Sequence, residues 1–110
     1  MKLPNCDRAL VDIRKLREYS LNPEHEMGSH KARVFRSALG LTLADVDWLY
    51  EEVIRIANEC DVVIGERSHF GEKYVIDARI TFGKRSAIVR MAWIVENGTD
   101  FPRLASCYVK

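Results

Sequence analysis

Lys73-Tyr74-Val75-Ile76-Asp77-Ala78-Arg79-Ile80-Thr81-Phe82-Gly83-Lys84-Arg85-Ser86-Ala87-Ile88-Val89-Arg90-Met91-Ala92-Trp93-Ile94-Val95-Glu96 decides the fold. Tyr74, Ile76, Ala78, Ile80 and Phe82 occupy every second position, with Val75, Asp77, Arg79 and Thr81 between them. That is the period of a strand with one buried face. Gly83-Lys84 makes a tight turn, and Val89, Met91, Trp93 and Val95 repeat the alternation over 86–96 with Arg90 on the opposite face. Two strands joined by so short a turn run antiparallel.

Outward from this hairpin the same punctuation recurs. Residues 62–68 read as a preceding strand, with His69-Phe70-Gly71-Glu72 as its turn, and Asn97-Gly98-Thr99-Asp100 precedes a last strand over 103–109. Pro102 is tolerated at a strand's first position. The result is a four-stranded antiparallel meander.

Upstream the period becomes helical. Thr42-Leu43-Ala44-Asp45 resembles a capping box and opens the longest helix, in which Val46, Leu49, Val53, Ile56 and Ala57 form the apolar stripe. Trp48 and Tyr50 lie at its flanks, Asp47, Glu51, Glu52 and Arg55 face solvent, and the helix ends near residues 58–60. Before it, Ser29 is the N-cap of a shorter helix with His30, Lys31 and Ala32 in the first turn, Val34, Phe35, Ala38 and Leu39 inward, and Gly40 as the stop. Asp12 caps a first helix whose buried face is Ile13, Leu16 and Tyr19; Asn22-Pro23 ends it and residues 23–27 form a loop. Residues 1–7 have no periodicity and are expected to be a loose lead-in. The expected architecture is α+β: N-terminal helices packed on one face of a four-stranded antiparallel meander sheet, the other face open to solvent.

The 110 residues, 47% hydrophobic and 30% charged, fit one domain, 1–110, large enough to bury a core without staples. A net charge of +1 argues against a surface that grips nucleic acid all over, although 8–36 is rich in Arg and Lys and 45–61 is mainly acidic. Cys6, Cys60 and Cys107 cannot all pair within one chain and show no metal-binding spacing, so reduced thiols are expected. No membrane span or signal-peptide core is visible, which fits a cytoplasmic protein or a secreted effector domain.

The chemistry gathers around 21–35, where His25, His30, Lys31 and Arg33 crowd a loop and a helix start. A helix N-terminus favours anions, so cations there cost stability and serve anion binding. Asp77, Arg79, Thr81, Arg90, Ser106 and Tyr108 are expected to share the sheet face away from the helices. Together these types suit transesterification of RNA. His30 or His25 takes the proton from the ribose hydroxyl, Lys31, Arg33, Arg79 or Arg90 stabilises the phosphate charge, and Ser106 and Tyr108 orient the phosphate. His25, Arg79 and Arg103 are read as substrate-binding; no metal or other cofactor is required. The bland reading pairs Arg79 and Arg90 with Asp77 or Glu96 across strands, has Arg103 tie the last turn to a helix end and uses Tyr108 to close the core.

Leu21-Asn22 with His25, Gly28, His30-Lys31-Ala32-Arg33-Val34-Phe35 and Leu39-Gly40, then Tyr74-Val75-Ile76-Asp77, Trp93-Ile94 and Pro102-Arg103-Leu104 with Ser106 and Tyr108, resemble a family of small uncharacterised bacterial domains. Members occur alone or at the C-terminal ends of larger, including toxin-like, proteins. A wider similarity runs to the barnase/EndoU/colicin/RelE-like ribonuclease toxins, many of which carry Thr-x-Tyr where this chain has Ser106-Cys107-Tyr108. The chain departs from them in its near-neutral charge and in lacking the EndoU histidine pair. The resemblance implies a metal-independent endoribonuclease with RNA as substrate and a cognate immunity or antitoxin protein as partner. The alternative is a non-catalytic interaction module (immunity, antitoxin or regulatory partner) that binds through the acidic helix or an edge strand.

Overall fold

In the computed structural model, which describes residues 1–24 and 29–110, the hairpin at 73–96 lies at the centre of the sheet. Strands β1 (Ile64–Ser68), β2 (Gly71–Phe82), β3 (Arg85–Glu96) and β4 (Arg103–Val109) form one antiparallel sheet in the order β1-β2-β3-β4. Helices α1 (Ser29–Leu39) and α2 (Val46–Glu59) precede them, so the architecture is α+β as expected. Tyr74, Ile76, Ala78 and Ile80 of β2 and Val89, Met91 and Trp93 of β3 are buried together with Phe35 and Leu39 of α1 and Leu49, Val53 and Ile56 of α2. β1 begins two residues later than expected and is exposed along its whole length, as befits an edge strand with no helix over it.

Three expectations need correction. The lead-in is not loose. Leu3 is buried in the core, Lys2 bridges Asp61, the Val62 N–H donates to the Met1 carbonyl, and Cys6–Arg8 forms a 3-10 turn. One apolar anchor and a few backbone bonds suffice to order a segment without periodicity.

The first helix is also wound differently. Asp12 does cap it, accepting from the Arg14 N–H at 3.0 Å, but Lys15–Ser20 is π-helical and closes with Leu21 N–H donating to the Leu16 carbonyl at 2.9 Å. Each i to i+5 bond takes one more residue per turn than the α pattern. Leu16 and Ser20 therefore face the core, and Tyr19 faces outward at 42% exposure.

The sheet's second face is not fully open. Val75 and Ala92, paired across β2 and β3, are nearly buried, and Asp77 is mostly covered. On α1 the inward residues are Ala32, Phe35 and Leu39, with Val34 and Ala38 half-buried. The capping box at the start of α2 is present: the Asp45 carboxylate accepts from the Thr42 backbone N–H at 2.9 Å and from its hydroxyl at 3.3 Å.

Candidate functional site

Strict alternation would put Leu104, Ser106 and Tyr108 on one face of β4. The register instead shifts between Ala92 and Trp93, so that Ala92 pairs with Ser106 and Trp93 with Leu104, leaving Ala105 as the extra residue of a bulge. Leu104 and Cys107 consequently point into the core, while Ser106 and Tyr108 join Asp77 and Arg90 on the opposite face, through the pairs Asp77–Arg90 and Arg90–Tyr108.

The outer edge of β4 is covered. The Leu104 N–H donates to the Leu10 carbonyl at 3.0 Å, and the buried Ser20 hydroxyl donates to the Cys107 carbonyl at 2.8 Å. This second bond seats the π turn against β4 and leaves a groove of about 260 Å³ lined by Lys15, Tyr19, Ser20, Lys31, Ala105, Ser106 and Cys107.

α1 delivers Lys31 to that groove. At about 100° per residue, Lys31 stands about 70° from the centre of the Ala32–Phe35–Leu39 stripe, on the side of β4. Its ammonium lies 5.3 Å from the centre of the Tyr108 ring, within cation–π range. Lys15 makes the equivalent contact with Tyr19 at 5.8 Å. Two ammonium groups over two tyrosine rings thus flank a strand bearing a serine hydroxyl.

Behind Tyr108 the charges are paired. Arg90 grips Asp77 with two hydrogen bonds, Nε to Oδ1 at 2.8 Å and an Nη to Oδ2 at 2.9 Å, and Lys110 adds a third to Oδ2 at 3.1 Å. The Arg90 guanidinium, with help from Lys110, holds the Asp77 carboxyl down at about 2; the carboxylate, and secondarily Tyr108, raise Arg90. Burial pushes the Cys107 thiol up to about 12 against a small opposing effect of Lys31, so it is a core thiol, not a nucleophile.

Of the residues singled out from sequence, Lys31, Ser106, Tyr108 and Arg90 come together. The expected assembly of the whole set is corrected for the others. His30 projects about 170° from the buried stripe of α1 and, with Arg33, Val34, Ser37 and Ala38, lines a shallow hollow on the helix's outer side. Arg33 falls on the flank away from β4. Arg79 donates to the Ser86 hydroxyl at 3.2 Å toward the far end of the hairpin, not to Asp77 or Glu96, and Arg103 pairs with Glu96 at 2.8 Å and not with a helix end; only the Arg90–Asp77 pair follows the bland reading. His25 lies outside the described residues. Lys15, Tyr19 and Ser20 were missed, because their convergence depends on π winding that no sequence period announces. Among the described residues no cluster of three or more His, Cys, Asp or Glu is arranged for a metal, and no helix is long and apolar enough to cross a membrane.

Helices packed on a four-stranded antiparallel meander define a class with a solved counterpart. One chain of the contact-dependent growth inhibition toxin–immunity protein complex from Klebsiella pneumoniae 342 superimposes with a TM-score of 0.68, over 91% of this chain and 98% of that one, at 12% identity. The two share a fold. The protein itself belongs to the family described as domain of unknown function DUF6883, whose profile matches residues 2–110. No curated protein matches its sequence.

Proposed function

We propose that this chain is a ribonuclease of the toxin type that cleaves RNA without a metal, in the groove between the π turn, the start of α1 and β4. The observation that carries the reading is Lys31 lying over Tyr108 beside Ser106, with Lys15 over Tyr19 along the same groove. Ammonium groups suit a phosphodiester backbone and tyrosine rings suit unstacked bases. In the reaction the ribose 2′-oxygen attacks phosphorus and the bond to the 5′-oxygen breaks, giving a cyclic phosphate and a free 5′-hydroxyl. Lys31 stabilises the charge that grows on the phosphoryl oxygens, Ser106 orients one of them, and the Tyr108 hydroxyl donates the proton to the departing oxygen. Arg90, anchored by Asp77, positions Tyr108. With His30 on the outer side of α1, the proton acceptor is assigned to His25. The fold shared with one chain of a toxin–immunity complex is consistent with a toxin or an immunity role.

The test is incubation of the purified chain with total RNA and transfer RNA, with and without chelator, beside Lys31→Ala, His25→Ala and His30→Ala. The expected result is chelator-resistant cleavage that falls at least 100-fold in Lys31→Ala and His25→Ala, the scale for losing one transition-state group, and stays within a few-fold in His30→Ala. No cleavage by the folded wild type overturns the reading.

One observation favours the second reading, a non-catalytic interaction module. β1 is a free edge strand, and Val63, Ile64 and Phe70 around it are 55%, 44% and 74% exposed. Under that reading the contact surface is this edge and not α2, whose Arg55 is tied to Glu52 and Glu59.

A further inference from the structure

The flank of α1 turned away from β4 carries a second concavity. Leu21, Pro23, Ala32, Leu41, Thr42, Leu43 and Ala44 enclose about 270 Å³ with Arg33 and Arg36 at its rim. The lining is apolar except for the arginines and Thr42, whose amide and hydroxyl are already engaged by Asp45. The volume falls below the roughly 300–1,000 Å³ usual for small-molecule sites; it suits one or two side chains. Leu43, at the mouth, is 41% exposed.

Charge supplies the other half of the argument. α1 (SHKARVFRSAL) contains no acidic residue. Among the described residues neither Arg33 nor Arg36 forms an ion pair, whereas Arg8, Arg14, Arg55, Arg67, Arg90 and Arg103 all do. Of the described carboxylates nearest to them in sequence, Glu24 and Asp45, neither pairs with Arg33 or Arg36, and Asp45 is occupied by Thr42. Arg85 adds a third cation at the C-terminal end of α1, donating to the carbonyls of Arg36 and Ser37. An apolar hollow rimmed by guanidinium groups with no ion pair among the described residues is complementary to an acidic segment carrying an apolar anchor: the anchor fills the hollow and the carboxylates meet the arginines. An RNA strand would find the charge but nothing to place in an aliphatic pocket.

We propose that this pocket is a docking site for an acidic protein segment that inserts one or two large aliphatic side chains between α1 and the start of α2, with Arg33 and Arg36 binding the flanking carboxylates. The site lies on the opposite side of α1 from the Lys31 groove and does not depend on the ribonuclease reading.

The test uses a fluorescein-labelled peptide in which two adjacent leucines are flanked on each side by three glutamates, titrated with the full chain and read by fluorescence anisotropy. Saturable binding with Kd below about 1 mM, weakened at least tenfold in Arg33→Glu/Arg36→Glu and several-fold in Leu43→Ser, is expected. The charge-matched Arg67→Glu/Lys73→Glu variant, on β1 and β2, is expected to bind within twofold of wild type. Replacing both leucines of the peptide by serine is expected to cost at least tenfold. Equal binding of the serine peptide would reduce the site to a charge patch and overturn the proposal, as would unchanged affinity in the arginine variant, absence of saturable binding, or displacement of the peptide by a single-stranded RNA oligomer at lower concentration than by unlabelled peptide. All four substituted positions of the protein in the arginine and control variants are exposed, so circular dichroism is expected to show an unchanged fold.

Discussion

Asp77→Asn tests the charged cluster behind Tyr108. The carboxylate is only 14% exposed, accepts three charge-assisted hydrogen bonds from Arg90 and Lys110, and is lowered from the ordinary 3.8 to about 2. At about 1.36 kcal/mol per tenfold change in proton affinity, that lowering is worth at most about 2.5 kcal/mol. Arg90 and Lys110 are 26% and 53% exposed, so solvent screening brings the expected figure to roughly 1–2 kcal/mol. A carboxyl whose pKa is lower in the folded chain stabilises the fold fully above its unfolded value of about 4 and loses that contribution as pH falls toward 2. At pH 7 the asparagine variant should therefore unfold at lower urea, by roughly 1 M for a slope of about 1.5 kcal/mol/M. At pH 2 to 2.5, where the wild-type carboxyl is becoming protonated and resembles the amide, the gap should shrink to less than half. Urea titrations of both proteins at pH 7, 4 and 2.5 measure it. A gap that does not change with pH would show that Asp77 acts through packing, and the electrostatic account of the cluster would fail.

Gly71→Ala should be severe. Gly71 has φ of +142°, and a Cβ there would sit 2.0 Å from the Val95 carbonyl oxygen, so destabilisation beyond about 3 kcal/mol, or failure to fold, is expected in thermal melts. Ser20→Ala removes the donor to the Cys107 carbonyl and should cost about 1–2 kcal/mol in urea titration, with the Lys15–Lys31 groove loosened. Thiol titration of the folded chain with an aromatic disulfide reagent at pH 8 should modify the half-buried Cys6 and Cys60 while Cys107 stays protected until unfolding; prompt modification of three thiols would contradict its burial.

The hairpin of β2 and β3, the stripe of α2 and the Thr42–Asp45 cap were legible because each rests on a local rule: alternation, helical spacing, or a side chain reaching back three residues. Tyr19 was misplaced because a π turn has the same composition as an α turn and differs only in which carbonyl each amide meets. The grouping of Ser106 and Tyr108 with Arg90, read from sequence without a register, depends on the bulge at Ala105; alternation alone would have left Leu104 outside or both polar residues inside. His30 and Lys31 looked equivalent as neighbours in a helix start. About 100° of rotation separates them, and the position of the buried stripe, which includes Ala32 in place of the expected Val34 and Ala38, determines which one faces β4.

The π turn at Lys15–Ser20 holds one residue more than an α-helix needs to cover the same rise. In terms of insertion and deletion, it is an added residue taken up by winding in place of a loop. A chain lacking one residue between Lys15 and Ser20 has a ready path, reverting to α winding between the same end points. The serine anchor on β4 and the tyrosine under Lys15 would then fall out of step, and the groove would lose one wall while the sheet kept its register. The length of this one turn, together with the Ser20 hydroxyl that anchors it, sets whether the groove exists.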